Sequence, residues 1–285
     1  MAIVLDHILS LSKENEAFEF SDRDTMIYAL GAGLGADPLN ARELPFVYES
    51  NLQVLPTQAS VMAWGAGRLG ESGINYLMVV HGEQRLTVHQ PLPNSARILA
   101  DSRITHCLDK GAGKGAVIVT ETILKLAHNG TQLATLGATI FARGDGGFGG
   151  PSEGGPVPHM VPTDREADAE VAITTRPDQA LLYRLSGDRN PLHADPAFAQ
   201  MAGFPRPILH GLCSYAIACR AVLQHYADYD PTRILAHDVR FSAPVFPGET
   251  IVTRMWKDGP VVSFEAIVKE RNAVVLKNGR TLLRE

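Results

Sequence analysis

Between Ser186 and Pro196 the chain reads SGDRNPLHADP, an aspartate, an asparagine and a histidine set around a proline. Asp188 and His193 are too far apart in sequence to share a helix face, where neighbours are three or four residues apart. Asn190 precedes Pro191, and the residue before a proline is pushed out of the helical region. The pair therefore belongs on a loop stiffened by the proline and turned by Gly187. A carboxylate and an imidazole on a fixed loop can hold a water and move its protons. On spacing alone, a turn whose aspartate caps a backbone N–H and whose histidine packs is the more economical account.

A second pair of interest is His210-Gly211, which opens the run LCSYAIACRAVLQHYA. Leu212, Tyr215, Ala216, Cys219, Val222 and Leu223 recur at helical spacing, and small residues between them permit close packing on a sheet. The first N–H groups of such a helix lack internal partners, and its dipole places partial positive charge there. A glycine lets a ligand oxygen approach that N–H, as an oxyanion hole requires. A plain helix start with a flexible glycine is the structural alternative.

These segments need elements to hold them. A stretch dense in Gly and Pro, 144–165, reads as a linker between two repeats, 1–143 and 166–285. Tyr28-Ala-Leu-Gly in the first repeat matches Tyr183-Arg-Leu-Ser in the second at an offset of 155. The order of elements after it also agrees, which indicates a duplication. Helices are expected at 22–30, at 177–185, and after His210. A short one is expected from Asp195, an N-cap followed by Pro196, to a stop at Gly203. Alternating runs predict strands at 97–108, 116–126 and 132–141, and again at 250–256, 261–268 and 274–276. A helix wrapped by a curved antiparallel sheet, occurring twice, is an α+β double hot dog. At the positions equivalent to Asp188 and His193 the first repeat has Gly33 and Pro38. One active site per chain is therefore expected, with the first repeat serving another purpose. The glycines and alanines of 31–36 suggest that this purpose is room for a bulky chain.

Composition narrows the classes. The 285 residues are 45% apolar and 20% charged, with a net charge of -5, enough to bury a core and the wrong sign for a phosphate-backbone binder. No apolar run reaches membrane-spanning length. Cys107, Cys213 and Cys219 form no paired framework, and the amino terminus lacks the basic start of a signal peptide. A reducing cytoplasm is the expected compartment. The Lys114-Gly115 step breaks any Walker pattern, and the histidines lack metal-ligand spacing. Neither a metal nor a redox cofactor is expected.

The segment from Tyr183 to His193 resembles the signature of the (R)-specific 2-enoyl-CoA hydratases, the hydratase 2 or MaoC-like family. Further segments resemble the hydratase portion of the peroxisomal multifunctional enzymes. They are Arg23-Asp24 with Tyr28-Ala-Leu-Gly31, His81-Gly-Glu-Gln84, Leu108-Asp-Lys110, Gly146-Gly-Phe-Gly-Gly150, Pro207-Ile-Leu-His-Gly-Leu-Cys213, Arg240-Phe241 and Met255-Trp-Lys257. The resemblance implies reversible hydration of a trans-2-enoyl-CoA to the (R)-3-hydroxyacyl-CoA. It makes Asp188 and His193 the catalytic pair bracketing a water, with Asp188 taking a proton from it and His193 helping return one to the α-carbon, while which of the two is base in each direction is left open by the sequence. Asn190 would orient the water or the loop, and Gly211 N–H would bind the thioester oxygen. It also implies that His81, Gly82, Lys110, Arg189, Pro191, Leu192 and Phe241 line the acyl-CoA site. Alone, His81 and Phe241 read as ordinary core residues. The partner is then an acyl-CoA, with no nucleic acid or membrane, and the chain is a monomer or a homodimer. An acyl-CoA thioesterase of the same fold, releasing free thiol, and a non-catalytic acyl-CoA-binding subunit are the alternatives.

Overall fold

The computed structural model describes residues 3–285, with the side chain of Leu77 excepted. In chain order its elements are α1 (Leu5–Ser10), β1 (Ser12–Phe20), α2 (Asp22–Gly31), α3 (Leu44–Val47), α4 (Ala59–Met62), β2 (Val79–Val88), β3 (Ala96–Asp109), β4 (Ala116–Leu126), β5 (Gln132–Ala142), β6 (Ala169–Thr174), α5 (Gln179–Tyr183), α6 (Pro196–Met201), α7 (Gly211–Tyr226), β7 (Ile234–Phe241), β8 (Thr250–Asp258), β9 (Val261–Val268) and β10 (Ala273–Leu283). The helices and long strands expected from periodicity are present, the latter somewhat extended. Strands β1, β2, β6 and β7 join them.

All ten strands form one antiparallel sheet in the order β1-β3-β4-β5-β2-β7-β10-β9-β8-β6. The order reads the same from either end once each first-half strand is matched to its second-half counterpart. The seam is β2 against β7, where Glu83 pairs with Arg240 and Arg85 with Asp238. Glu83 and Asp238 are 155 apart, as are Arg85 and Arg240. Each acid thus lies across from the other copy's arginine, as an approximate twofold axis through the seam demands. The same axis brings α2 onto α5. Tyr28 and Tyr183 lie with ring centroids 5.7 Å apart. A Cβ on Gly31 would sit 3.1 Å from the Tyr183 backbone, so a glycine is what allows this approach.

The two halves diverge at the helix that the sheet wraps. In the second half α7 runs for 16 residues, and Leu212 to Leu223 are all buried. That exceeds the one apolar stripe read from its spacing, because sheet and first-half segments close on it from every side. Arg220 is carried into the interior by this packing. Its guanidinium donates to Glu43 at 2.6 and 3.1 Å and to the Gly33 carbonyl at 2.7 Å. Glu43 also accepts from Gly35 N–H. In the first half the equivalent stretch makes a 3₁₀ turn at Pro56–Gln58, continues as four-residue α4, and then unwinds through Trp64-Gly65-Ala66-Gly67.

The Gly-rich stretch after β5 is anchored. The Asp109 carboxylate accepts from Gly111, Gly147 and Gly149 N–H at 2.7–2.8 Å. Lys110 Nζ donates to the Ser152 carbonyl at 2.5 Å.

Removing one partner of a buried ion pair leaves the other charge without compensation, at a cost of about 3–5 kcal/mol. Glu43→Ala should therefore lower unfolding free energy by about that amount in urea titration. A loss below about 1 kcal/mol, the level of exposed pairs, would show that this contact does not hold the halves together.

Candidate active site

The loop after α5 is built to present Asp188. The chain tightens into a 3₁₀ turn at Arg184–Ser186 and reverses at Gly187, φ 139°. A Cβ there would lie 2.6 Å from the Trp64 ring, so both conformation and space require glycine. Asn190 N–H donates to Asp188 Oδ1 at 3.0 Å, and Asn190 Oδ1 accepts from Leu192 N–H at 3.0 Å. The asparagine side chain thus caps the 3₁₀ turn Pro191–His193 and fixes the loop.

That turn delivers His193 into the interior. Its Nδ1 lies 2.8 Å from the Ile208 carbonyl, which can only accept. The neutral ring therefore carries its proton on Nδ1 and a lone pair on Nε2. Nε2 is 3.8 Å from Asp188 Oδ2. The gap is too long for a hydrogen bond, and a single water can donate one proton to each atom across it. Burial holds His193 below the usual histidine range.

Gly211 opens α7 beside this pair. It is exposed, and its N–H makes no hydrogen bond among the described residues. The Phe241 ring would stand 3.2 Å from a Cβ on Gly211, so a side chain there would crowd it. Phe241 ends β7 and His81 lies near the start of β2, and the seam brings their rings to 4.9 Å. The register of β2 shifts at Gly82, where His81 Nε2 lies 3.1 Å from the Glu83 carbonyl. Burial pulls His81 down to about 4, with the Asp188 carboxylate close enough to act in the opposite sense.

Asp188, His193, Gly211, His81 and Phe241 are thus brought together, with Gly82 shaping the strand. The other expected residues are placed as follows, and the expectation that the glycines of 31–36 leave room is revised. Lys110 contacts the linker rather than this cluster, since its amine is taken up by Ser152. Arg189 and Pro191 are exposed at the loop surface. Leu192 contributes through its backbone, bonding Asn190 and Ile208. The glycines of 31–36 do not open a space: Gly31 packs on Tyr183, Gly33 on Arg220 and Gln179, and Gly35 on Val47.

The space is elsewhere. A cavity of about 260 Å³ lies where the first-half helix unwinds, between residues 60–69 and the inner faces of β3, β4 and β5. Trp64, Leu136, Ala138 and Ile140 line it, and His81 and Leu212 mark the end next to the cluster. Aligning α7 with 56–71 at the offset of 155 would have pointed to it, since Gly65, Gly67 and Gly70 fall inside the expected helix.

His210, N-cap of α7, was read from sequence only as Gly211's neighbour. Its ring stacks on His193 at 3.7 Å with planes 26° apart. Its Nε2 lies 3.1 Å from the Asp188 carbonyl. Burial presses it down to about 3, and the neighbouring His193 adds to the effect. Asp188, His193 and His210 each offer one ligand atom, all within 4.8 Å of one another. Ring lone pairs lie in the ring plane, however, so two stacked rings do not aim theirs at one ion about 2 Å from both.

Comparison with known proteins follows the same division. Residues 18–144 match the MFE-2 hydratase 2 N-terminal domain, and residues 160–278 match the MaoC like domain. The chain is 42% identical over 283 residues to an enoyl-CoA hydratase of Mycobacterium tuberculosis, covering 97% of each. It is 41% identical to the peroxisomal multifunctional enzyme type 2 of Mus musculus over 91% of this chain and 36% of that one. The crystal structure of a MaoC-like dehydratase from Phytophthora capsici superposes with a TM-score of 0.87 at 32% identity, over 99% of this chain and 98% of the other.

The buried histidines give a pH signature. His81, His210 and the interior His237 are held neutral by burial, down to about 4, 3 and 3. In the unfolded chain such rings titrate near pH 6.5, so below that the unfolded state binds protons the folded state refuses. Melting temperature should be level from pH 8 to about 6.5 and fall toward pH 4.5. A protein that gained stability over that acid range would contradict the neutral assignment.

Proposed function

The chain belongs to the MaoC-like, hydratase 2 family of double hot-dog enzymes, and on that premise we propose how its own residues add water to a trans-2-enoyl-CoA. The protein is a hydro-lyase of acyl-CoA metabolism. The observation that supports the site assignment best is the pairing of His193 Nε2 with Asp188 Oδ2 at 3.8 Å beside an unused N–H on Gly211. The water's two protons point to His193 and Asp188, leaving an oxygen lone pair for the β-carbon. As that C–O bond forms, the pair takes one proton and negative charge moves to the thioester oxygen. Gly211 N–H and the dipole of α7 hold that charge, a donor of a kind worth about 3–4 kcal/mol in other enzymes. The α-carbon then takes a proton from the pair, which returns to its starting state. The product is the (R)-3-hydroxyacyl-CoA.

Every step uses only proton transfer and one amide donor, which supports a reaction without metal or redox cofactor. The stacking of His193 on His210 supports the same reading. The first repeat supplies His81 and the cavity, and the second supplies the acid, the base and the oxyanion donor. One chain thus holds a complete site, compatible with a monomer or a homodimer. Among the described residues no helix is long and apolar enough to cross a membrane. Cys107, Cys213 and Cys219 are buried free thiols, which supports a reducing compartment such as the cytoplasm.

Loss of absorbance of an enoyl-CoA on hydration tests this directly. Asp188→Asn and His193→Gln should each lower kcat by about 10²–10⁴-fold with melting temperature near wild type. Either variant retaining wild-type turnover would reject the pair.

The cavity predicts a chain-length effect. Ala138→Phe should reduce kcat/KM for a decenoyl-CoA by about tenfold or more while leaving crotonyl-CoA within about threefold. Equal losses on both substrates would place the acyl chain elsewhere.

A further inference from the structure

His210 is a polar side chain buried to 2% exposure at a place where packing alone would accept an apolar ring. Its contacts explain why it is polar. Nε2 faces the carbonyl of Asp188, which can only accept, so Nε2 carries the proton and donates it there. Nδ1 is buried and has no partner among the described residues, so the donated bond is the one its ring makes. One face of the ring lies flat on His193 and another side meets Tyr183, with centroids 5.1 Å apart. Its own backbone leads directly into Gly211.

Among the described residues the Asp188 main chain makes no other hydrogen bond, the nearest restraint being Arg184, which donates to the Arg189 carbonyl at 3.1 Å. Asp188 follows Gly187, a residue without side chain in an unusual conformation, and precedes the exposed Arg189. The bond from Asn190 N–H reaches the Asp188 carboxylate, not its main chain. The peptide plane leaving Asp188 is held by His210. Release of that carbonyl would free the loop at Asp188 to shift and carry the carboxylate away from His193 Nε2.

We propose that His210 is a positioning residue for the hydration, whose Nε2–H to the Asp188 carbonyl sets the acid's distance from His193. It touches neither the water nor the thioester. The inference rests on the assignment of Asp188 and His193 as the reacting pair.

Two substitutions separate the hydrogen bond from the ring. His210→Phe keeps a flat ring against His193 and removes the donor. His210→Gln loses the ring and retains an amide N–H near the position of Nε2. Because misplacement of a reacting group by about 1 Å can cost about 10²-fold, His210→Phe should lower kcat by about that factor while KM stays within about threefold. His210→Gln should recover to within about tenfold of wild type. A residue needed only for packing would rank the two in the opposite order, the aromatic ring being the better tolerated. Undiminished kcat in His210→Phe, or equal loss in both variants, overturns the inference. Should His210→Phe not fold, His210→Asn replaces it, since its amide is too short to reach the Asp188 carbonyl. Then loss in Asn with recovery in Gln supports the inference, and equal rates overturn it. Wild-type protein that hydrates no enoyl-CoA would instead overturn the reading of the reacting pair, so the two failures are distinct.

Discussion

The antiparallel pairing of β2 with β7 is the constraint on which the rest depends. In its register Glu83 lies across from Arg240 and Arg85 across from Asp238, and Leu86 N–H donates to Asp238 Oδ1 at 3.2 Å across the seam. In an antiparallel strand pair, a slip by one residue turns each side chain to the opposite face. Here such a slip of β2 would separate His81 from Phe241, the ring that packs at the tip of α7. The seam makes one continuous sheet from two repeats, and the twofold it creates makes their differences visible. One copy keeps a long buried helix with a free amide at its start. The other has given up most of that helix, and the vacated volume is the cavity that opens beside His81 and Leu212.

Burial does chemical as well as structural work in this arrangement. A histidine taken out of water resists protonation, and three rings near the site, His81, His193 and His210, are depressed mainly for that reason. A neutral His193 whose Nδ1 proton is fixed on Ile208 keeps an Nε2 lone pair for water. The interior is therefore more than a scaffold, since the apolar wrapping of α7 and its neighbours keeps the His193 ring neutral with a lone pair free on Nε2.

Much of this was legible from residue types. The tail strands followed from alternation, and the loop carrying Asp188 and His193 followed from a proline that forbids helix. Strand β1, SKENEAFEF, was hidden because an edge strand with one wet face carries polar or charged residues at most positions. The pairing of β2 with β7 depends on residues about 155 apart, which no local window contains. The surroundings of Lys110 were not legible, because a family pattern transfers a residue type without its neighbours, and here the Ser152 carbonyl takes up the amine. The glycines of 31–36 looked like space, yet glycine there permits contact. His210 and Trp64 gain their roles only when distant segments meet, His210 under the Asp188 loop and Trp64 against Gly187.

The most direct measurement is a crystal structure of Asp188→Asn with a trans-2-enoyl-CoA bound. The account predicts the thioester oxygen within about 3 Å of Gly211 N and the acyl chain in the cavity lined by Trp64 and Ala138. It also predicts a water about 2.6–3.2 Å from His193 Nε2, facing the β-carbon. A thioester bound away from Gly211, or a β-carbon on the far side from His193 with no water between them, would contradict it.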